Sequence, residues 1–225
     1  MNINIIIPVF NEEKYLERCI DSIIKQTLLP TKLLLVNDNS SDNSENILKK
    51  YSKEFLWIEY INIKSNQAHI PGEKVIRTFY KGLETIDSNY DIICKFDSDI
   101  IFNENYLESI ISIFNSDPKV GIAGGNLYVK KKNKWVYEKI SSKDHVRGPI
   151  KSYRKKCFED IQGLRKSIGW DTVDVLIAQY YDWKIKTDKS LTVKHLKPTG
   201  ANYSYNSKFL QGEALYKMRF GLVLS

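Results

Sequence analysis

Asp91-Ile92-Ile93-Cys94-Lys95-Phe96-Asp97-Ser98-Asp99-Ile100-Ile101-Phe102 carries two carboxylates inside an apolar run that reads as a buried strand. Residues two apart on an extended chain point to one side, so Asp97 and Asp99, at the end of that strand, aim at a common point in front of the sheet. Two like charges about 4 Å apart at an effective dielectric near 20 cost about 4 kcal/mol, so the pair calls for a cation. Hard oxygen ligands favour Mg2+ or Mn2+, which keep open positions for the phosphates of a nucleotide. Taken alone, the stretch also reads as a solvated Asp-Ser-Asp turn after an edge strand.

The flanking sequence alternates strands and helices. Ile3 to Val9 is a β-branched run followed by Asn11-Glu12-Glu13, where Asn suits an N-cap and the acids suit the positive end of a helix. Tyr15, Leu16, Cys19, Ile20, Ile23 and Ile24 recur at the helical period until Pro30. Leu33 to Val36 reads as the next strand. It breaks at Asn37-Asp38-Asn39-Ser40-Ser41-Asp42, and Asp42 and Glu45 have capping-box spacing before a helix with Ile47, Leu48 and Tyr51. Trp57 to Ile63 reads as a third strand. A helix marked by Val75, Ile76, Phe79, Tyr80 and Leu83 follows the Pro71-Gly72 loop, and Ile92 to Phe96 is the fourth strand.

Such alternation predicts an α/β fold with a mostly parallel sheet flanked by helices. Ligands bind these sheets at the carboxyl ends of the strands. Three polar loops fall there: Asn11-Glu12, Asp38, and Asp97 with Asp99. Neither a Gly-x-Gly-x-x-Gly nor a Gly-x4-Gly-Lys-Ser/Thr follows the first strand, so phosphates must be held by metal or basic side chains.

Beyond Phe114 a smaller mixed half begins, dividing one domain into residues 1–114 and 115–225. Val120 to Gly125 reads as a small strand, Leu127 to Val129 and Trp135 to Tyr137 as a hairpin around a Lys-rich turn, and Gly148 to Tyr153 as a further strand. Lys155 to Ile161 is a short helix. Thr172 to Tyr181 is another, with Val175, Leu176 and Ala178 inward, and a strand from Leu191 to Leu196 brings His195 to an edge.

The 225 residues suffice for one sizeable core; hydrophobic residues make up 42% and charged residues 27%, as in ordinary globular proteins. The formal charge of +7 is concentrated around Lys130 to Lys134, Arg154 to Lys156 and Lys184 to Lys197. That surface suits a phosphorylated substrate, an anionic membrane face or nucleic acid. Three widely spaced cysteines, Cys19, Cys94 and Cys157, argue against a disulfide framework or zinc site and for a reducing compartment. The N-terminus has no positive n-region and its apolar stretch is too short for a signal peptide, which predicts a cytoplasmic chain, with peripheral contact at the inner membrane face allowed by its basic surface. Ala214 to Ser225 stops inside an amphipathic basic segment, which reads as a truncated C-terminus, either a helix on the core or the start of an interfacial one.

Ile5-Ile6-Ile7-Pro8-Val9-Phe10-Asn11-Glu12, Val36-Asn37-Asp38-Asn39-Ser40-Ser41-Asp42 and the Asp-x-Asp at Asp97 to Asp99, in that order, resemble the inverting family 2 glycosyltransferases. The resemblance implies a GT-A fold and a hexosyltransferase type of reaction, in which a nucleotide-diphosphate sugar, UDP-sugar favoured, donates to a glycan or lipid-linked acceptor in polysaccharide biosynthesis. By it, Asp38 contacts the nucleobase, while Pro8, Phe10, Glu12 and Arg77 line the nucleotide pocket. Asp99 holds Mn2+ or Mg2+, Asp97 contacts ribose or the metal through water, and His195 resembles a late metal-binding His; a satisfied structural histidine is the competing role for His195. Gly169-Trp170-Asp171-Thr172-Val173-Asp174 resembles the family's acidic general-base motif. Asp171 is the expected base, with Asp174 one turn later the alternative and N-capping the competing role for Asp171. Trp135, Trp170 and Tyr153 are candidates for an acceptor-sugar platform. Rival readings are a sugar nucleotidyltransferase, which would show a Gly-rich basic loop after the first strand, and a basic nucleic-acid-binding protein; no nucleic-acid partner is expected.

Overall fold

The computed structural model describes residues 1–65, 72–140 and 145–198. The basic segment from Ala214 to Ser225 lies outside the described residues. In chain order the elements are β1 (Ile3–Val9), α1 (Leu16–Ile24), β2 (Lys32–Asp38), α2 (Ser44–Glu54), β3 (Ile58–Ile63), α3 (Glu73–Leu83), β4 (Ile92–Phe96) and β5 (Ile100–Ile101). The second half adds α4 (Tyr106–Ser116), β6 (Val120–Lys131), β7 (Lys134–Tyr137), β8 (Ile150–Arg154), α5 (Lys155–Asp160), α6 (Trp170–Tyr180) and β9 (Lys184–His195).

One sheet runs β3-β2-β1-β4-β8-β6-β9-β5, with β7 paired to β6. Strands β1 to β4 are mutually parallel. Sequence β-branching and the crossover helices account for this, because parallel neighbours need long connections and burial on both faces. Along β1, Ile3, Ile5, Ile7 and Val9 pack with α1, α2 and α4, whereas Ile6 faces α3, α5 and α6. Chain order reverses between β1 and β4, which opens a crevice at their carboxyl ends.

The quoted stretch is two strands rather than one. Asp97-Ser98-Asp99 is a turn between β4 and β5, and β5 pairs with β9 at the far edge of the sheet. In a flat sheet β4 and β5 would stand about 19 Å apart at the usual strand spacing. Phe96 and Ile100 are separated by a link that reaches at most about 14 Å. The sheet therefore curls, and the Asp-x-Asp turn sits where it folds back on itself.

Several local expectations change. Asn11 is no N-cap: it adopts a left-handed φ of 53° and its Oδ1 accepts the Ser41 N–H at 2.8 Å, tying the loops after β1 and β2. Asp42 makes no capping box with Glu45; its Oδ1 accepts the Ser44 N–H and its Oδ2 the Glu13 N–H, both at 3.0 Å. Leu176 is 45% exposed rather than inward. His195 is not on an edge, because β9 lies between β6 and β5. The hairpin forms as expected, with Tyr128 opposite Tyr137, but β6 is one continuous strand from Val120.

Candidate active site

A cleft of about 540 Å3 opens at the carboxyl ends of β1, β2 and β4. Pro8 enters it from the end of β1, Phe10 and Glu12 from the loop that follows, Asp38 from the end of β2, and Asp97 and Asp99 from the turn after β4. Lys74 and Thr78 contribute from α3, and Lys197 from beyond β9. The three polar loops thus meet in one place.

Asp38 is buried at the base, where its Oδ2 accepts the Thr78 hydroxyl at 3.0 Å and the Ser65 hydroxyl at 3.1 Å, with the Lys74 ammonium 3.6 Å away. That ammonium also stands 3.6 Å from the centre of the Phe10 ring, which is 42% exposed at the mouth. Glu12 pairs through Oε1 with Lys197, while its Oε2 is buried without a hydrogen-bond partner. Burial, opposed by Lys197 and assisted by the charges of Asp99 and Asp97, pushes the Glu12 carboxyl up to about 7.

The two carboxylates of the turn each have their own positive or polar neighbour. Asp97 Oδ1 receives the ammonium of Lys95, a side chain buried in β4 on the same side two residues earlier. Asp99 faces His195, with Oδ1 and Nε2 3.6 Å apart, and His195 Nδ1 lies 3.1 Å from Glu138 Oε2. Arg147 Nη1 approaches the same Glu138 oxygen at 3.4 Å. Burial disfavours the His195 imidazolium, but the bonds to Asp99 and Glu138 outweigh it and lift the group to about 9. The like-charge penalty expected from the sequence is therefore offset by protein cations and bonds, not left wholly to a metal.

On the other side of the turn, Asp171 Oδ2 accepts the Gly148 N–H at 3.2 Å. The Gly148 carbonyl meets Lys95 Nζ at 3.5 Å, and Lys95 holds Asp97. A Cβ on Gly148 would stand 3.0 Å from Trp170 Cζ2 and 3.2 Å from Asp171 Oδ2, so the missing side chain permits this approach. The N-cap of α6 is Gly169, and Asp171 lies in the first turn with its carboxylate on Gly148, not on its own helix end. Asp174, the alternative, is 1% exposed, held by Lys151 Nζ at 2.5 and 2.8 Å and by the Tyr153 hydroxyl. Its burial keeps it from an incoming substrate.

Arg77 does not enter the cleft; it is exposed and its Nε donates to Glu73 Oε1 at 2.8 Å, leaving Thr78 as the α3 residue on Asp38. Tyr153 and Trp170 are core side chains, which removes them from an acceptor platform. Lys74, Thr78, Lys95, Glu138 and Lys197 are additions to the expected set. Of these only Lys95 had a sequence signal: a lysine inside an apolar strand, two residues before Asp97, needs a same-side anion.

A parallel half closed by a curled mixed half, with a carboxylate-bearing turn at the crevice, is the GT-A arrangement of sugar transferases. Solved chains share it: residues 1–349 of S. aureus TarS in complex with UDP-GlcNAc align with TM-score 0.70 at 17% identity, over 91% of this chain and 62% of that one. The Pyrobaculum calidifontis mannosyltransferase PcManGT with GDP-Man and Mn2+ aligns with TM-score 0.71 at 12% identity, over 98% and 65%. The family model described as glycosyl transferase family 2 matches residues 4–168, and the chain belongs to that family of glycosyltransferases. Curated relatives include glycosyltransferase GlyA of Streptococcus pneumoniae, 30% identical over 71% of this chain and 20% of GlyA. Another is the Staphylococcus aureus poly(ribitol-phosphate) beta-N-acetylglucosaminyltransferase TarP, 30% identical over 64% of this chain and 42% of TarP. The chain thus spans about a fifth of GlyA and under half of TarP. Among the described residues no helix is long and apolar enough to cross a membrane.

Proposed function

We propose that this chain transfers a sugar from a UDP-sugar to a glycan or lipid-linked acceptor, with metal assistance and inversion at the anomeric carbon. The convergence of Asp38, Asp97 and Asp99 in one cleft carries the reading. The UDP-GlcNAc complex of a chain with the same fold supports the choice of donor. Residues 1–114 supply the nucleotide side and the following half the acceptor side.

Pro8, Phe10, Glu12 and Asp38 line the wall where base and ribose would lie, and Lys74 and Lys197 bring positive charge to the phosphates. Among the described residues no cluster of three or more metal-binding side chains exists. Asp99 Oδ1 and His195 Nε2 nonetheless face one another; with the His195 proton displaced on binding, they would make an oxygen-and-imidazole donor pair that fits Mn2+ or Mg2+. Bound there, such an ion would offset charge developing on the leaving diphosphate. Asp97, neutralised by Lys95, is suited to a ribose hydroxyl or a metal-bound water rather than to direct ligation. Asp171 takes the proton of the attacking hydroxyl, since its half-exposed carboxylate lies beside Gly148 and joins the Asp97 cluster through it. Attack from the side opposite the leaving group inverts configuration in one displacement.

Calorimetric titration of UDP, dTDP, GDP and CMP, with and without Mn2+, tests the reading on wild type and Asp99→Asn. Metal-strengthened binding of UDP that is lost in Asp99→Asn, with transfer slowed roughly a thousandfold, is the expected result. Near-normal transfer by Asp99→Asn would remove Asp99 from the metal site.

A further inference from the structure

The hairpin of β6 and β7 carries a face that the donor cleft does not use. Between residues 128 and 139 the chain holds Lys130, Lys131, Lys132, Lys134 and Lys139, all exposed, against one acid, the buried Glu138. Strand pairing sorts them. Tyr128 stands opposite Tyr137 on β7 and opposite Lys194 on β9, and Lys130 stands opposite Trp135, so these five side chains share one side of the ribbon. The rings of Tyr128 and Tyr137 meet edge to face at 6.0 Å, and the Lys194 ammonium lies 5.7 Å from the centre of the Trp135 ring. Ammonium groups and aromatic faces therefore alternate on a surface that is half exposed.

Its position in the fold gives the ribbon a direction. Ala123 and Leu127 of β6 pack in the core with α1 and α4, whereas Ile122 packs in the core with α6. Alternation carries Tyr128 and Lys130 to the α6 side, the side of Trp170 and Asp171. At its root, Tyr137 precedes Glu138, which touches His195, and Val129 is cross-strand from His195. From there the hairpin runs outward about 10 Å to its Lys132 turn. A polymer lying along the Tyr128 and Lys130 face would run on the side of the sheet that carries α6 and Asp171.

Resting on the transferase reading, we infer that this ribbon holds the acceptor, and that the acceptor is a polyanion of phosphodiester-linked polyol or sugar units. Ammonium groups pair with the phosphates, and ring faces take the C–H surfaces of the polyol or sugar skeleton between them. A neutral glycan would leave the lysines without a role. Single-stranded nucleic acid shares the charge and stacking chemistry, but it offers no reason for this face to lie on the α6 side of the sheet, the side that carries Asp171.

The probe is a soluble ribitol-phosphate octamer. Maltooctaose is its neutral counterpart, and a thymidine oligonucleotide and phosphatidylglycerol vesicles are anionic alternatives. Binding is measured at low and moderate salt on the full chain, on Lys130→Ser/Lys194→Ser and on Trp135→Ala, with UDP titrated into each. The octamer binds wild type, more weakly as salt rises, and maltooctaose does not. The double variant weakens octamer binding about tenfold, and Trp135→Ala about three- to tenfold. UDP affinity is unchanged in all three. Octamer binding that is absent, or indifferent to both variants, overturns the proposal. So does equal binding of the oligonucleotide or the vesicles with the same losses, which would make the ribbon a nucleic-acid or membrane contact. Failure of wild type to bind UDP would instead strike the transferase reading, a separate outcome from the octamer result.

Discussion

Glu138 Oε2 stands 3.1 Å from His195 Nδ1, which leaves Nε2 as the nitrogen turned toward Asp99. A carboxylate on one ring nitrogen fixes the orientation of the other, and loss of such a support costs metal sites about 10- to 100-fold in affinity. Glu138→Gln keeps an acceptor for the ring and is expected to weaken Mn2+ binding least. Glu138→Leu is expected to weaken it within that range and to lower stability, because Arg147 and His195 lose a buried anion. Titration of Mn2+ followed by its paramagnetic resonance checks the order; equal affinity in wild type and Glu138→Leu would show that the contact does not position His195.

The strand carrying His195 is itself held by a close approach. A Cβ at Gly125 would stand 2.3 Å from the Leu191 carbonyl oxygen and 3.1 Å from its carbon, beside a register shift between β6 and β9. Backbone atoms cannot swing aside as a side-chain tip can. Gly125→Ala is expected to cost about 1–3 kcal/mol of stability in urea unfolding, with weakened UDP and Mn2+ binding if β9 shifts. An unfolding midpoint equal to that of wild type would mean the two strands part without cost.

The parallel half was legible in the sequence because each signal there is local. Continuous β-branched runs, helical periods and polar loops after β1, β2 and β4 each sit within ten or so residues, and the crevice rule assembles them. What was illegible depends on contacts between distant segments. The curl that returns β5 to β9 is set by the short Asp97 to Asp99 link, and no local pattern shows which strand β5 will join. Arg77 and Thr78 are adjacent in sequence, yet helix rotation places only Thr78 on Asp38, forty residues away. The resemblance offered both Asp171 and Asp174 as bases, and the burial of Asp174 against Lys151 and Tyr153 from β8 has no local pattern to announce it. Asn11 and Asp42 resemble caps because their side chains accept backbone N–H groups; Asn11 accepts that of Ser41 in another loop, and Asp42 divides its oxygens between the Glu13 N–H and the Ser44 N–H at the start of α2.

Asp42 gives the fold an acid-sensitive tie. Burial, the largest single contribution, raises its carboxyl, but the hydrogen bonds from Ser44 and from the Glu13 N–H together outweigh it and hold the carboxyl below the usual carboxylate range. A group with a depressed folded pKa contributes stability above its unfolded value, about 3.9, and that contribution is lost as pH falls through the folded value. Asp42→Asn is therefore expected to be less stable than wild type near pH 6 and to converge with it as pH falls below the usual carboxylate range. Unfolding midpoints measured across that range check this. Parallel curves would mean that the contacts between Asp42 and the β1 loop do not survive in solution.

Asp171 and Asp174 are expected to fail in different currencies. Asp174 and Lys151 form a pair buried on both sides, with Tyr153 donating its hydroxyl to the same carboxylate. Removing one member of a buried pair leaves the other charged and unsolvated, so Asp174→Ala should lose about 3–5 kcal/mol of stability. Asp171 is half-exposed and accepts a backbone N–H, so Asp171→Asn should leave the unfolding midpoint near that of wild type. Its effect should appear in kcat, with a loss of about 10²- to 10⁴-fold and little change in UDP affinity. Stability and turnover measured together on both variants separate the roles. Full turnover by Asp171→Asn, or a fully stable but inactive Asp174→Ala, would exchange the two assignments.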